Sequence, residues 1–211
     1  SDLQRVSCRP LWVQGFHTWM LGLASQWMNL SGLHANSVAP ILVSREQGRR
    51  KSTFCRSLMP DVLMRYYTDN LKLTSQGQAE RLLAEMGLLN MDEFDKYAET
   101  KMPLLKNLMQ MSTLNIRKAY QQSFRQLPRV ASFIGTSNRF DLLTDPTGSR
   151  RFLCVEVKHN IDCTHIEHDQ IFAQLKAELS AGRRNWFTKK EEEELQRHNE
   201  KFYRISLVEE V

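Results

Sequence analysis

The stretch ILVSREQGRRKSTF, residues 41–54, decides how the rest of the chain is read. Ile41, Leu42 and Val43 form an apolar run of the kind buried in a parallel strand, and KSTFCRSLM, residues 51–59, has helical period. A tight loop must join them, carrying Gly48, Lys51 and Ser52. Strand, loop and a helix opening on Lys-Ser make the layout of a phosphate-binding loop, G-x-x-x-x-G-K-[ST]. In such a loop the backbone N–H groups face phosphate oxygens, here those of Gln47, Gly48, Arg49, Arg50, Lys51, Ser52 and Thr53. Lys51 would reach the β- and γ-phosphates and the Ser52 hydroxyl would ligate magnesium. Two positions depart from the pattern: Arg45 and Arg50 stand where it has its first and last glycines. Forcing an arginine into the left-handed backbone that glycine adopts freely costs on the order of 1 kcal/mol or more. Gly48 keeps one flexible point, and the added guanidinium groups attract phosphate. Taken alone, GRRKST also reads as a basic surface turn, so other segments must decide.

Three further segments do so, in chain order. In GLLNMDEFD, residues 87–95, an apolar run ends on Asp92 and Glu93. At a strand's C-terminal end Asp92 would hold magnesium, usually through water, and Glu93 would position and polarise an attacking water. ASFIGTSN, residues 131–138, ends a third apolar strand on Asn138, an amide able to orient water beside a γ-phosphate. TDPTGSRRF, residues 144–152, gives a Pro-Gly turn and then Arg150 and Arg151, cations suited to transferred phosphoryl charge. Singly these are an acidic turn, a turn residue and two solvated arginines. Together, at the tips of successive predicted strands, they form the set a nucleotide hydrolase needs.

With these segments in hand, the chain resembles the virulence-associated protein E family, phage- and plasmid-type P-loop ATPases related to superfamily III helicases and primase-helicases. The resemblance runs from about Pro40 to Val157 and rests on GLLNMDEFD, on residues 101–138, and on DPTGSRRF, in that order. It implies an α/β fold: a P-loop NTPase with an AAA-like, five-stranded, mostly parallel sheet of order 5-1-4-3-2 flanked by helices. It also implies ATP and Mg2+ at the strand tips and action on nucleic acid. By position, Lys51 and Ser52 match the Walker A lysine and hydroxyl, Asp92 and Glu93 the Walker B acids, Asn138 the sensor, and Arg150 or Arg151 the arginine finger. An arginine finger completing a neighbour's site implies a ring-like homo-oligomer. The family usually has glycine where Arg45 and Arg50 stand, so the Walker A loop is degenerate. Two functions follow: an ATP hydrolase coupled to nucleic-acid handling, or a weak or inactive fold retained as a nucleic-acid or protein-binding module. A small-molecule phosphotransferase fits less well, since no segment supplies a substrate pocket or lid.

Between the acids and the sensor, LNIRKAYQQSFRQLPR (residues 114–129) carries Arg117, Lys118, Arg125 and Arg129 interleaved with Tyr120 and Phe124, and no acid. Cations pair with phosphates and rings stack on unpaired bases, which makes Arg117, Lys118 and Arg125 candidate nucleic-acid contacts, with DNA the partner that the resemblance implies. The alternative is a basic hairpin that packs Tyr120 and Phe124 into the core.

The flanks are helical. Residues 1–36 place Trp12, Phe16, Trp19, Leu23, Trp27 and Leu30 on one apolar face, residues 37–160 form the core, and residues 161–211 a C-terminal helical segment. In the last, Gly182 is a predicted helix stop and Thr188 with Glu191 a predicted capping box. HNIDCTHIEH, residues 159–168, matches no familiar zinc spacing and reads as a connection turned by Asp162 or Thr164. At 211 residues, 41% hydrophobic and 25% charged, the chain has the make-up of a globular domain, and its net charge of +5 permits a polyanionic partner. Four scattered cysteines without a C-x-x-C pair fit a reducing cytoplasm, and no segment is apolar enough to span a membrane. The chain opens on SDLQRVSCRP without a methionine and reads as part of a longer protein.

Overall fold

The computed structural model describes residues 10–30, 34–73, 76–97, 99–117 and 124–203. Apolar runs that are continuous rather than alternating call for strands covered on both faces, and a parallel sheet with helices on either side provides that cover. The chain forms α1 (Leu11–Trp27), β1 (Ala39–Val43), α2 (Lys51–Ser57), β2 (Tyr67–Thr68), α3 (Gln76–Glu85) and β3 (Leu88–Met91). It continues through α4 (Met102–Gln110), β4 (Thr113–Arg117), β5 (Phe124–Pro128), β6 (Ser132–Ser137), β7 (Phe152–Glu156), α5 (His168–Ser180) and α6 (Lys189–His198). Short 3-10 segments at Asp61–Tyr66, Pro146–Arg151 and Asn199–Phe202 lead into β2, lead into β7 and follow α6.

Five strands make one sheet in the order β2-β3-β6-β1-β7, every neighbouring pair parallel. The expected "mostly parallel" sheet is thus wholly parallel. Numbered by their own chain order and read from the β7 edge, these strands run 5-1-4-3-2. β1 lies between β6 and β7, with Ile41 opposite Gly135 on one side and Cys154 on the other. Successive residues alternate faces. Leu42 and Ile134 therefore meet Trp19, Leu23, Cys55 and Leu175 under α1, α2 and α5, whereas Ile41, Val43 and Phe133 meet Leu83, Leu105, Leu108 and Phe202 on the other face. β4 and β5 stand outside this sheet as an antiparallel pair, Thr113 opposite Pro128 and Arg117 opposite Phe124.

α1 starts after Pro10, whose fixed φ suits the entry to a helix. Trp19 and Leu23 are buried, Trp12 and Phe16 stack at 4.8 Å, and Trp27 stacks on Phe172 of α5 at 5.2 Å. Full burial of side chains of this size contributes about 1.5–3 kcal/mol each. The helix is shorter than the expected one. It ends at Trp27, Asn29 turns the chain at φ +54°, and Leu30 is 58% exposed instead of extending the apolar face. Residues 1–9 of the expected segment, Cys8 included, lie outside the described residues.

A buried polar network fixes α1 to the sheet. The Gln26 amide donates to the carbonyls of Val130 (3.2 Å) and Ala131 (2.8 Å), and its oxygen accepts from the Asn36 backbone N–H at 2.9 Å. Asn36 in turn donates to Trp19 O (3.0 Å) and Ser132 Oγ (2.9 Å). At the C-terminal end, Gly182 stops α5 at φ +80°, and the capping box of Thr188 and Glu191 opens α6, as the sequence predicts. Among the described residues no helix is long and apolar enough to cross a membrane.

Candidate functional site

The C-terminal ends of β1, β3 and β6 point the same way in a parallel sheet, so the loops that follow them share one rim. The loop after β1 runs through Gly48 at φ +77° and Arg50 at φ +61°. Arg50 thus holds the left-handed backbone for which glycine is the usual choice, and its side chain is exposed. Arg45, the other replacement, is exposed too and lies over the Phe140 ring, 5.3 Å from its centroid.

Lys51, the first residue of α2, is only 7% exposed. Its Nζ donates to Asn138 Oδ1 at 3.0 Å and lies 3.5 Å from Ser44 O, so the tips of β1 and β6 are joined through it. Burial pushes the Lys51 pKa below the usual lysine value, with the carboxylates of Asp92 and Asp95 opposing that shift. At the next residue, Ser52 Oγ donates to Asp92 Oδ1 at 2.8 Å, and Thr136 Oγ1 donates to the same oxygen at 2.6 Å. Thr136 also accepts from the Glu93 backbone N–H at 3.2 Å, which holds the tip of β3 against β6. Glu93 sits at φ +52°, and its carboxylate takes the Lys96 ammonium at 2.6 Å. Asp95 braces the next turn, accepting from Ser137 Oγ at 2.7 Å and from the Asn138 N–H at 3.4 Å.

These groups line one cleft of about 370 Å³: Gln47 to Thr53 on one wall, Asp92, Glu93, Thr136 and Asn138 on the other. Cleft size lies within the range of small-molecule sites. A hydroxyl and a carboxylate oxygen converging from two elements are a donor set that fits a hard divalent cation, and the lysine beside them fits a polyphosphate.

Arg150 and Arg151 are not among the lining residues. Arg150 is exposed and its Nε lies 3.6 Å from Glu192 of α6. Arg151 is half-buried, its pKa pushed down by burial and then by the Arg150 charge, and its Nε has no hydrogen-bond partner among the described residues. Of the basic segment, Arg117 closes β4, Lys118 and Tyr120 lie outside the described residues, and Arg125 is exposed on β5. Phe124 is 66% exposed, which goes against the alternative reading in which it packs into the core.

Arg129 is a second correction. Grouped by sequence with the phosphate-pairing cations, it is 1% exposed. Its guanidinium donates to the carbonyls of Ala131 (2.8 Å), Leu108 (3.2 Å), Met109 (2.6 Å), Met111 (3.3 Å) and Asn36 (2.8 Å). Burial lowers its pKa to about 9. In the 159–168 connection, Asp162 Oδ1 accepts from the Thr164 N–H at 2.9 Å, the turn the sequence suggests, and His168 Nε2 meets Ser57 O at 2.7 Å.

Sequence reading missed Thr136 and Asp95. Thr136 was signalled by a hydroxyl at the end of an otherwise apolar strand, and Asp95 by the last residue of DEFD. Neither signal says which neighbour the side chain meets.

Comparison with known proteins places this geometry in context. The family model for the virulence-associated protein E-like domain matches residues 6–204. Among solved structures, the apo NrS-1 C-terminal region (305-718) matches with a TM-score of 0.52 and 15% identity, over 88% of this chain and 47% of that one. An A-form apo structure of the same NrS-1 region gives a TM-score of 0.48 and 15% identity, over 90% and 52%. The chain spans about half the length of these structures. The first likeness is one of fold. No curated protein matches the chain.

Proposed function

The chain belongs to the virulence-associated protein E-like family, and from that premise we propose that it is a P-loop ATPase module of AAA-like architecture. In this reading it couples ATP binding or hydrolysis to nucleic-acid handling within a phage-, plasmid- or mobile-element-type protein. One observation carries the proposal: Lys51 reaches Asn138 at 3.0 Å and Ser52 reaches Asp92 at 2.8 Å across a single cleft, although the partners lie far apart in the chain.

In this reading the loop of residues 47–53 cradles the phosphates, and Lys51 neutralises charge on the β- and γ-phosphates. Ser52 and Asp92 are the residues that would hold Mg2+, whose contribution when bound is to draw charge from the phosphate oxygens. Glu93 positions and polarises water, and Asn138 orients it. Release of Glu93 from Lys96 frees its carboxylate for that task. Arg150 or Arg151, outside the cleft, would serve the site of a neighbouring subunit in a ring. Arg125 and the exposed Phe124, with Arg117 and Lys118, make the β4–β5 hairpin the contact with nucleic acid, in our reading DNA.

Magnesium-dependent ATP hydrolysis by the wild type, lost in Lys51→Ala and in Glu93→Gln, is the expected result. Equal background rates in all three proteins would remove the enzymatic reading. The left-handed Arg50 in the cleft wall favours a second reading, a nucleic-acid or protein-binding module whose nucleotide loop has degenerated. Nucleotide binding that is absent from the wild type and created by Arg50→Gly would select it.

A further inference from the structure

Beside the nucleotide cleft lies a second, larger concavity of about 560 Å³. Arg45, Asn138, Arg139, Phe140, Asp141, Lys201 and Tyr203 line it, so three cations and two aromatic rings share it with a single acid. Arg139 is neutralised by Asp141, to which its Nε and Nη2 both donate. Arg45 and Lys201 are not: each is exposed and lies over an aromatic ring, Arg45 over Phe140 at 5.3 Å and Lys201 over Phe202 at 5.1 Å. Neither forms an ion pair with a described residue. The rings position the two charges and leave them uncompensated.

Size and composition narrow the ligand. A lone phosphate would fill a small part of the space, whereas a nucleotide unit is of the scale such cavities take. Guanidinium and ring planes stack on bases, and cations beside them pair with backbone phosphates. Bases inside a duplex are already stacked on one another, so the faces needed here belong to an unpaired strand.

We propose that this groove is a binding subsite for single-stranded nucleic acid, distinct from the β4–β5 hairpin. The proposal deepens the nucleic-acid part of the function given above and rests on it. Asn138 lines both cavities and accepts from Lys51, so a strand in the groove and a nucleotide in the cleft meet the same side chain.

The test is fluorescence anisotropy of 5′-fluorescein-labelled oligothymidylate of about 15 residues, titrated with the full chain in the absence of nucleotide at several salt concentrations. Lys201→Glu is expected to weaken binding about tenfold and to reduce the slope of log Kd against log salt by about one. Arg45→Ala is expected to weaken binding in the same direction. Thermal melts check that both fold, and the exposed Lys201 variant decides if Arg45→Ala does not. Wild-type affinity in the groove variants overturns the proposal. A loss confined to Arg125→Glu on the hairpin also overturns it, while leaving the proposed nucleic-acid function standing. Unchanged affinity with a lowered sedimentation coefficient assigns the groove to a second copy of the chain and overturns it too. Failure of the wild type to bind removes both readings, whereas groove-dependent binding without ATP hydrolysis keeps this site and rejects only the hydrolase.

Discussion

Arg50 pays for its place in the loop with backbone strain, because its φ of +61° brings Cβ close to the following carbonyl oxygen. Arg50→Gly should relieve that strain. Part of the gain is offset by the greater freedom glycine has in the unfolded chain. The expected outcome is a rise in unfolding free energy of a few tenths to about 1 kcal/mol, read from the urea midpoint at unchanged m. Asp95 acts at the same scale through others, since one oxygen holds both Ser137 and the backbone of Asn138. If the chain hydrolyses ATP, Asp95→Ala should lower kcat by about ten- to a hundredfold with KM little altered, because Asn138 is misplaced while the phosphate cradle is untouched. Asp95→Asn, which keeps an oxygen acceptor, should restore part of the loss. Equal effects of both variants on kcat and KM would assign Asp95 a structural role alone.

Among the elements, α6 has the most sharply defined start. Glu191 accepts from both guanidinium nitrogens of Arg184, at 2.6 and 2.7 Å, and from the Thr188 N–H at 2.7 Å. The Arg184 hydrogen bonds, then those of Thr188, hold its carboxyl pKa at about 2 against burial, where an ordinary glutamate has 4.5. A depressed carboxylate stabilises the fold above its unfolded pKa and loses that contribution as pH falls through its folded one. Glu191→Gln keeps the reach back to Thr188 but not the charge. The variant should therefore melt below the wild type at neutral pH, and the gap should close between pH 4.5 and about 2. A gap independent of pH would assign the loss to packing.

The strands were legible in the sequence for a simple reason: a sheet covered on both faces needs largely apolar runs, and β1, β3, β6 and β7 each include one. A helix start was legible where a side chain caps it, at Thr188, and a helix stop where glycine takes a positive φ, at Gly182. Asp92, Glu93 and Asn138 could be placed at one rim because they follow the ends of β3 and β6 directly, and the 47–53 loop because it joins β1 to α2. Arg129 could not be read, since a cation in a basic run looks like surface until the carbonyls that satisfy it are assembled from the end of α4, the residue before β6 and the segment before β1. Thr136 and Asp95 were hidden for a related reason: their partners come from the neighbouring strand's tip.

For the whole molecule, the proposed nucleotide binding would be linked to folding. A ligand that binds only the folded chain raises its apparent stability, by about 2.7 kcal/mol at a hundredfold excess over Kd. The interior is divided by the sheet into two apolar layers, and the layer under α1 is completed by Trp19, Leu21 and Leu23. Asn36 and Arg129 join that layer's edge to the end of α4 on the opposite side. Stripping partners from a buried guanidinium of this kind costs several kcal/mol, on the order of 3–5.

The five-carbonyl grip of Arg129 has a practical meaning for anyone trimming the gene. A boundary between residues 36 and 37 looks natural from sequence, yet a fragment beginning at residue 37 would leave the guanidinium without the Asn36 oxygen and bare the Leu42 and Ile134 face of the sheet. Such a fragment should collect in the pellet after expression, while one that starts ahead of Pro10 stays in the supernatant.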